Sequence, residues 1–453
     1  MNHIYDLGGV KYFIIFAHSV ETKVISKDLM EGELRLKKRI GFHYVAWALI
    51  AVLALGVLLA GCGQTTPPTK SGDAGGSKLK VKVGYIDSLS GPAAAYGKST
   101  QAAIKIAIDE VAKAGGPAIE LVERDDGFKP DQAESAAKEL VMNQNIDILV
   151  GTINSASALA VSKYAKANKV LFINSDSMSE KITGAQGHRY VFSTIGNTAM
   201  IGKAGAYQMS KMPYKRYWLA GSDYEFGRSV VNSVWTNLQQ MKPDVQKINE
   251  SWWKVGESDF SSYINAIRAA KPDAVYVGSG GGDTVAFLKA VNQSGLNKEV
   301  PIFIHAGTDH DSLRPLGQDA PEGVYGTAFY FYYFPDDAST KSFGEAYKKV
   351  TGNYPGFAGL NGYLTIKFLA AAIDKAGSTD KEKIIDALEG LSLDTPVGKG
   401  TIRKEDHQLM LPMVFGKTVK SANLPYLITT DNVLIPADKI MPSVEEVLKT
   451  RKK

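Results

Sequence analysis

Two short segments carry the residue types that most often do chemistry. The segment 278–283 (GSGGGD) lies between an apolar run and a helical pattern, where a dinucleotide-binding loop would lie, but Asp283 replaces the third glycine of G-x-G-x-x-G. The segment 305–311 (HAGTDHD) offers imidazole and carboxylate groups, yet no further motif supplies the converging ligands that zinc requires. No G-x-S-x-G nucleophile motif occurs in the sequence. We therefore expect a glycine-rich turn lining a cleft and a polar loop that is solvated or contacts a ligand, with no cofactor and no catalytic site.

The composition narrows the class of protein. The chain has 453 residues, of which 44% are hydrophobic and 22% are charged, as in soluble globular proteins of two or three domains. A net charge of +5 is small for this length, so a nucleic-acid partner is not expected. The single cysteine, Cys62, excludes an internal disulfide framework and a multi-cysteine metal site.

The N-terminal region has the pattern of an export signal. Basic residues at 35–39 precede an apolar run at 45–60, which predicts a secretory signal peptide, with an uncleaved anchor as the alternative. Residues 59–62 (LAGC) resemble the bacterial lipoprotein processing box, which implies that Cys62 is lipidated and begins the mature chain. The Gly-, Ser-, Thr- and Pro-rich residues 63–77 read as a flexible tether. With residues 1–29 included, the segment that precedes the basic stretch is longer than in a usual signal peptide. Our hypothesis is therefore that translation starts at Met30.

After residue 79, strand and helix patterns alternate in two series. Strands are predicted at 79–85, 119–123, 146–150, 170–173, 217–220, 274–277 and 302–305. Helices are predicted at 104–111, 131–143, 155–168, 227–241, 260–270 and 284–293. Strands separated by helices predict right-handed βαβ units, and two series predict two α/β lobes, each with a doubly wound parallel sheet.

Polar, glycine and aromatic residues collect directly after the apolar strands. The carboxyl ends of parallel strands form the ligand crevice of an open sheet, so two facing lobes predict one cleft for a small molecule. The aromatic residues 329–334 and the pair Trp252 and Trp253 are expected to pack within strands. The basic residues 449–453 are expected to form a solvated tail.

An ordered set of motifs resembles the leucine/isoleucine/valine-type (type I) periplasmic binding proteins of bacteria. The motifs are 83–97 (VGYIDSLSGPAAAYG), 125–130 (DDGFKP), 151–155 (GTINS), 223–227 (DYEFG), 259–261 (DFS) and 271–275 (KPDAV). The resemblance covers residues 79–430. It implies an extracytoplasmic, monomeric receptor, not an enzyme, that closes two lobes on a ligand and delivers it to an ABC-type permease with its ATPase subunits.

The resemblance also implies the site. In relatives that bind α-amino acids, a serine after the third strand and the loop after the fourth hold the carboxylate, and these positions match Ser155 with its neighbour Ala156, and Ser177 with Met178. Hydroxyls and free N–H groups at a helix N-terminus suit an anion. Four further residues complete the implied site: Tyr96, Tyr224 and Phe226 would flank the ligand, and Asp309 is the candidate partner of an ammonium group.

Departures from the family leave the ligand open. A disulfide of some relatives would join positions that are Phe128 and Asn154 here, and glycines replace an aromatic contact in segment 278–282. A branched-chain or other apolar amino acid is the leading ligand class, while amides, urea and aromatic acids remain alternatives. A ligand sensor of the same fold is the rival function.

The expected organisation of the whole chain follows. Residues 1–61 form the signal segment and 62–78 the lipidated cysteine and tether. Lobe I comprises 79–196 and 328–395, lobe II comprises 197–327 and 396–435, and 436–453 form the C-terminal tail. Hinge crossings are expected near 195–198, 327–330 and 395–400.

Overall fold

The structure, a computed structural model, describes residues 4–7, 10–13 and 79–451. The chain divides into two compact units, Met1–Gly75 and Gly76–Lys453. In the first unit, β1 (Ile4–Leu7) pairs with β2 (Val10–Phe13) in an antiparallel hairpin. The predicted basic stretch, apolar run, tether and lipidated Cys62 lie outside the described residues. Over the part of the chain that is described, no helix is both long and apolar enough to cross a membrane.

Lobe I, within the second unit, is built on a five-stranded parallel sheet of order β4-β3-β5-β6-β7. Its strands are β3 (Lys80–Asp87), β4 (Ala118–Asp125), β5 (Ile148–Gly151), β6 (Leu171–Asn174) and β7 (Val191–Ser193). Its helices are α1 (Ala94–Lys113), α2 (Pro130–Gln144), α3 (Ser155–Asn168), α9 (Ala338–Thr351), α10 (Phe357–Ala376) and α11 (Lys381–Leu388). Helices α1, α10 and α11 share one core with the sheet, and α2 and α3 share another.

Lobe II is built on a seven-stranded sheet of order β17-β16-β12-β11-β10-β8-β9. Its parallel strands are β8 (Arg216–Ser222), β9 (Gln246–Trp253), β10 (Ala274–Gly278), β11 (Ile302–Ile304) and β12 (Tyr325–Ala328), and β16 (Met413–Val419) and β17 (Ile428–Ile435) are antiparallel. Its helices are α4 (Thr198–Ser210), α5 (Glu225–Met241), α6 (Ser261–Ala270), α7 (Gly281–Ser294), α8 (His310–Leu313), α12 (Ala437–Ile440) and α13 (Val444–Arg451), with 3-10 turns at Leu296–Lys298 and Arg314–Asp319. The prediction of two α/β lobes with parallel sheets is confirmed.

Side-chain periodicity explains these elements. All four residues of β5 are buried, as expected for a central strand covered by helices on both faces. On α1, Ala103, Ile104, Ala107 and Val111 are buried at the spacing of one helical face. Strand β9 was not predicted, because it lies at the sheet edge, where its residues are exposed or half-buried without a regular alternation and only Trp253 is buried.

The third crossing between lobes differs from its expected position. Residues 395–400 belong to an antiparallel sheet formed by β13 (Ser392–Thr395), β14 (Gly398–Ile402) and β15 (Leu409–Met410). Ile402 and Leu409 are buried in the core of lobe I. After the lobe I helices, the chain therefore returns to the lobe II sheet only at β16. Residues 396–411, which were expected in lobe II, pack with lobe I.

Two further expectations need correction. Strand β12 ends at Ala328, so the aromatic residues 329–334 form the crossing and not a strand, although Phe329 and Tyr330 are fully buried. The C-terminal residues are not a solvated tail as far as they are described. Ile440 is buried in the lobe II core, and Arg451 on α13 donates to the Thr183 carbonyl oxygen at 2.8 Å.

Candidate functional site

A cavity lies between the lobes at the carboxyl ends of both sheets. Lobe I contributes loops after β3, β4, β5 and β6 and the start of α10, and lobe II contributes loops after β8, β9, β10 and β11. Six aromatic rings line the cavity: Tyr96, Phe128, Tyr224, Phe226, His305 and Phe357. This placement follows the rule that ligands bind outside the carboxyl ends of parallel strands.

Four of the predicted ligand residues line the cavity. They are Tyr96, Met178, Tyr224 and Phe226. The ring of Tyr96, in the first turn of α1, lies 5.0 Å from the Phe357 ring between centroids, at an interplanar angle of 55°. Its hydroxyl lies 3.0 Å from Ser312 Oγ of lobe II. Tyr224 lies 6.0 Å from the Phe226 ring and 5.8 Å from the Phe128 ring of the opposite lobe, measured between ring centroids. These rings form an apolar enclosure for a ligand body.

The other predicted residues of lobe I, at the N-terminus of α3 and in the loop after β6, lie outside the cavity lining; Ser155 and Ser177 are buried, and Ala156 is half-buried. The amide of Ala156 donates to the N-cap side chain of Asn154 at 2.9 Å. Ser177 donates through its hydroxyl to the Thr152 carbonyl oxygen. Ser155 is fully buried, and its Oγ has no hydrogen-bond partner among the described residues.

Asp309 also lies outside the cavity lining. It caps α8 by accepting from the amide of Asp311 at 2.9 Å. Its second oxygen accepts from the amide of Phe357, at the start of α10, at 3.0 Å. Both oxygens of the predicted ammonium partner are therefore engaged within the protein.

Two carboxyl side chains that were not predicted as ligand residues line the cavity instead. Asp176, after β6, accepts from the Asn361 amide at 2.7 Å and from the Thr100 hydroxyl. Asp283, in the first turn of α7, accepts from the Gly256 amide at 2.8 Å and from Ser222 Oγ at 2.7 Å. Asp176 immediately precedes Ser177 in a loop at a strand end, which is the signal that could have identified it.

Comparison with known proteins identifies the family. The model of a family described as "Periplasmic binding protein" matches residues 80–423. The chain belongs to this family. It is 28% identical over 374 residues to Leu/Ile/Val-binding protein homolog 4 of Brucella melitensis, which covers 78% of this chain and 88% of the relative. It is 26% identical over 322 residues to the leucine-, isoleucine-, valine-, threonine-, and alanine-binding protein of Pseudomonas aeruginosa, covering 70% and 84% of the two chains.

Solved structures agree with the family assignment. A solute-binding protein of an ABC transporter from Rhodopseudomonas palustris BisB5, in complex with 3,4-dihydroxybenzoic acid, superposes with a TM-score of 0.71 at 25% identity, covering 79% of this chain and 98% of that one. The closed conformation of the leucine-, isoleucine-, valine-, threonine-, and alanine-binding protein from Brucella ovis gives 0.70 at 25% identity, covering 81% and 97%. The fold and family are those of substrate-binding proteins of ABC transporters.

The lobes of this periplasmic binding protein touch across the cavity mouth. The amide of Gly282 donates to the Pro92 carbonyl oxygen at 3.0 Å. Glu225 of lobe II accepts from Ser179 Oγ and from Lys181 Nζ of lobe I, each at 2.9 Å. These direct hydrogen bonds between the lobes indicate that the structure is in a closed arrangement.

Burial controls the charge of the cavity groups. Burial raises the pKa of Asp176 well above its usual 3.8, and the neighbouring charge of Asp87 raises it further. Burial also raises the pKa of Asp283. Burial lowers the pKa of His305 to about 3, so its imidazole is neutral at physiological pH. The Nδ1 atom of His305 lies 2.8 Å from Thr327 Oγ1, and Nε2 has no partner in the described part of the chain.

Proposed function

We propose that the protein is the extracytoplasmic solute-binding component of an ABC importer. The observation that carries this proposal is the cavity between two lobes of a periplasmic binding protein, lined by aromatic rings from both. The ligand binds one lobe, closure completes the second set of contacts, and the permease and its ATPase subunits receive the closed form. The protein binds and releases its ligand without converting it.

A branched-chain or other apolar amino acid is the leading ligand class. Support comes from relatives named for leucine, isoleucine and valine binding, and from the apolar enclosure formed by Tyr96, Tyr224, Phe226 and Phe357. An aromatic acid is the second candidate, because a neighbour of similar fold holds 3,4-dihydroxybenzoic acid. The same enclosure would accommodate the side chain of an apolar amino acid or the ring of an aromatic acid.

A thermal-shift screen of the full chain tests the binding function. The panel contains apolar amino acids, amides, urea and aromatic acids. A solute that binds only the folded state adds about 2.7 kcal/mol at 100 times its dissociation constant, so binding raises the melting temperature. A complete absence of shifts across the panel, checked by calorimetry, would contradict solute binding. Uptake of the identified ligand in a deletion strain separates an importer, which loses uptake, from a sensor, which keeps it.

Membrane attachment through a lipid on Cys62 is a separate proposal, supported by the LAGC sequence at 59–62. The Cys62→Ser variant should move from the membrane fraction to the soluble fraction. Ser71→Ala, within the same predicted tether, is the matched control and should remain with the membrane. Continued membrane association of the Cys62→Ser variant would contradict lipid anchoring.

A further inference from the structure

Helix α8 of lobe II packs against two helices of lobe I. The Ser312 hydroxyl lies 3.0 Å from the Tyr96 hydroxyl of α1. Asp309, which caps α8, accepts from the amide of Phe357 at the start of α10 at 3.0 Å. Because α1 and α10 belong to lobe I, these contacts form when the lobes come together.

Two carboxyl groups of α8 converge at this contact. Asp309 and Asp311 are both buried, with 0% and 8% of their surfaces exposed. A Cβ placed on Gly356, the residue before α10, would collide with Asp309 Oδ1 and with Asp311 Oδ2. The two oxygens therefore lie beside the same point of the lobe I backbone, where a glycine leaves room for both.

The two converging oxygens differ in their partners. Asp309 Oδ1 accepts from the amide of Asp311 at 2.9 Å, whereas Asp311 Oδ2 has no hydrogen-bond partner among the described residues. An ionised Asp311 would lack a donor at this oxygen and would face a second carboxylate, and both effects disfavour the charge. A proton on Asp311 Oδ2 removes both costs, because it neutralises one charge and can be donated to Asp309 Oδ1.

No buried counter-ion faces this carboxyl pair within the described part of the chain. The cations beside it are Arg314, directly after α8, and Lys289 of α7, and both are exposed to solvent. Burial lowers the pKa of His310 to about 3, so its imidazole is neutral. The other titratable groups that face the pair are Tyr96, Tyr333, Tyr347 and Asp176.

Burial against lobe I raises the pKa of both carboxyls. The pKa of Asp311 rises from 3.8 to about 7, although the charge of Arg314 opposes the rise. Burial also raises the pKa of Asp309 well above 3.8, and the charge of Asp311 raises it further. When the lobes part, the carboxyls lose the cover of α1 and α10 and regain water, which returns each pKa toward its ordinary value. The closed arrangement therefore binds a proton more tightly than the open one.

We infer that closure of the lobes takes up one proton, which Asp309 and Asp311 share, so that acidic pH favours the closed arrangement and its ligand. The proton comes from solvent as α8 docks against lobe I and returns to solvent as the lobes part. The inference rests on the closure step of the proposed function. Because the proton belongs to the closed form, its effect is complete below about pH 4 and is lost as pH rises through about 7.

A distance between the lobes tests the inference without a ligand. Strands β4 and β9 are the sheet edges remote from the crossings after β7 and β12, and the exposed residues Lys129 and Ser258 follow them. Spin labels on Lys129→Cys and Ser258→Cys, in the full chain carrying Cys62→Ser, report opening by double electron–electron resonance. The ratio of closed to open protein should fall about 10-fold or more from pH 5 to pH 8. Identical distance distributions at both pH values overturn the inference.

Asp311→Asn assigns the pH dependence to the pair. The amide nitrogen takes the place of the proton and can donate to Asp309 Oδ1 at every pH, so the ratio should change by less than about 3-fold. Asp319→Asn is the matched control, because it makes the same change at an exposed carboxyl in the turn after α8, and it should keep the dependence of the parent chain. A dependence in Asp311→Asn as steep as that of the parent overturns the assignment. Melting temperatures at both pH values confirm that each variant folds.

Calorimetry with L-leucine and 3,4-dihydroxybenzoate separates the inference from the proposed function. A solute that binds should do so about 10-fold or more tightly at pH 5 than at pH 8, with a smaller ratio for Asp311→Asn. Titration of the solute itself is common to both proteins, so the difference between the two ratios belongs to the carboxyl pair. Equal ratios overturn the inference and leave solute binding standing. Failure of the whole solute panel to bind contradicts the proposed function, while a pH-dependent distance between the lobes would still support proton-linked closure.

Discussion

Asp87 provides the clearest test of how a buried carboxyl affects the stability of this protein. It ends β3 and is fully buried, and burial followed by the charge of Asp126 raises the pKa of its carboxyl from 3.8 to about 7. Asp87→Asn removes the charge and can keep the hydrogen bonds. The amide oxygen still accepts from Ser88 and Ile153, while the amide nitrogen donates to the Tyr85 hydroxyl. That hydroxyl then donates to the Gly97 carbonyl oxygen, which lies 3.0 Å away.

The direction of the pH dependence follows from proton binding. Between pH 4 and 7 the folded chain keeps a proton on Asp87 that the unfolded chain has released, so stability falls as pH rises through this window. At about 1.4 kcal/mol for each pH unit, the loss from this carboxyl amounts to about 4 kcal/mol by pH 7. The Asp87→Asn variant should therefore match the parent chain at pH 4 and exceed its unfolding free energy by several kcal/mol at pH 8.

Urea denaturation from pH 4 to 8, followed by circular dichroism, measures this difference. The control is Asp131→Asn, the same substitution at an exposed carboxyl on α2, which should leave the slope of the parent curve in place. Asp126 and Asp176 retain their buried carboxyls in both variants, so part of the slope remains. Parallel curves for Asp87→Asn and the parent chain would refute the reasoning.

Two further predictions concern closure of the lobes. Gly281→Ala places a Cβ 2.9 Å from the Pro92 carbonyl oxygen at a φ of +61°, and should weaken ligand binding about 10-fold by calorimetry. Gly295→Ala, at a φ of +73° with no atom within 4 Å, should lower the melting temperature while leaving affinity unchanged; equal losses of affinity would show that strain alone is responsible. Glu225→Gln removes the ion pair with Lys181 across the lobes and should weaken binding about 2- to 5-fold at low salt, with a smaller effect at 1 M salt. A salt-independent effect would count against an electrostatic contact.

Local patterns in the sequence predicted most of the strands and helices between residues 79 and 305. The predicted helix at 155–168 matches α3 to the residue, because Asn154 caps its start and its buried face repeats at helical spacing. Sheet membership was harder to predict. Residues 395–400 were expected to cross between the lobes, but burial of Ile402 and Leu409 in the lobe I core depends on contacts with distant helices that no local pattern contains.

The site was predicted in part for a similar reason. Motif resemblance identified Tyr96, Met178, Tyr224 and Phe226, all of which line the cavity. Within a strand-end loop, neighbouring side chains point in different directions, so the sequence could not show that Asp176 lines the cavity while the hydroxyl of Ser177 bonds to the backbone. Asp283 was considered only as a missing glycine, although its position in the first turn of α7 places it in the cavity.

The buried acids tie the stability of the protein to pH. Asp87 and Asp176 lie at the carboxyl ends of lobe I strands, and burial raises the pKa of both carboxyls. Their ionised forms therefore destabilise the folded chain, and the expected loss of stability above pH 4 is the measurable sign of that cost. A ligand shifts the equilibrium between open and closed lobes only by its differential affinity for the two states. Contacts with both walls of the cavity, such as those offered by Phe128 of lobe I and Tyr224 of lobe II, are therefore the ones that favour closure.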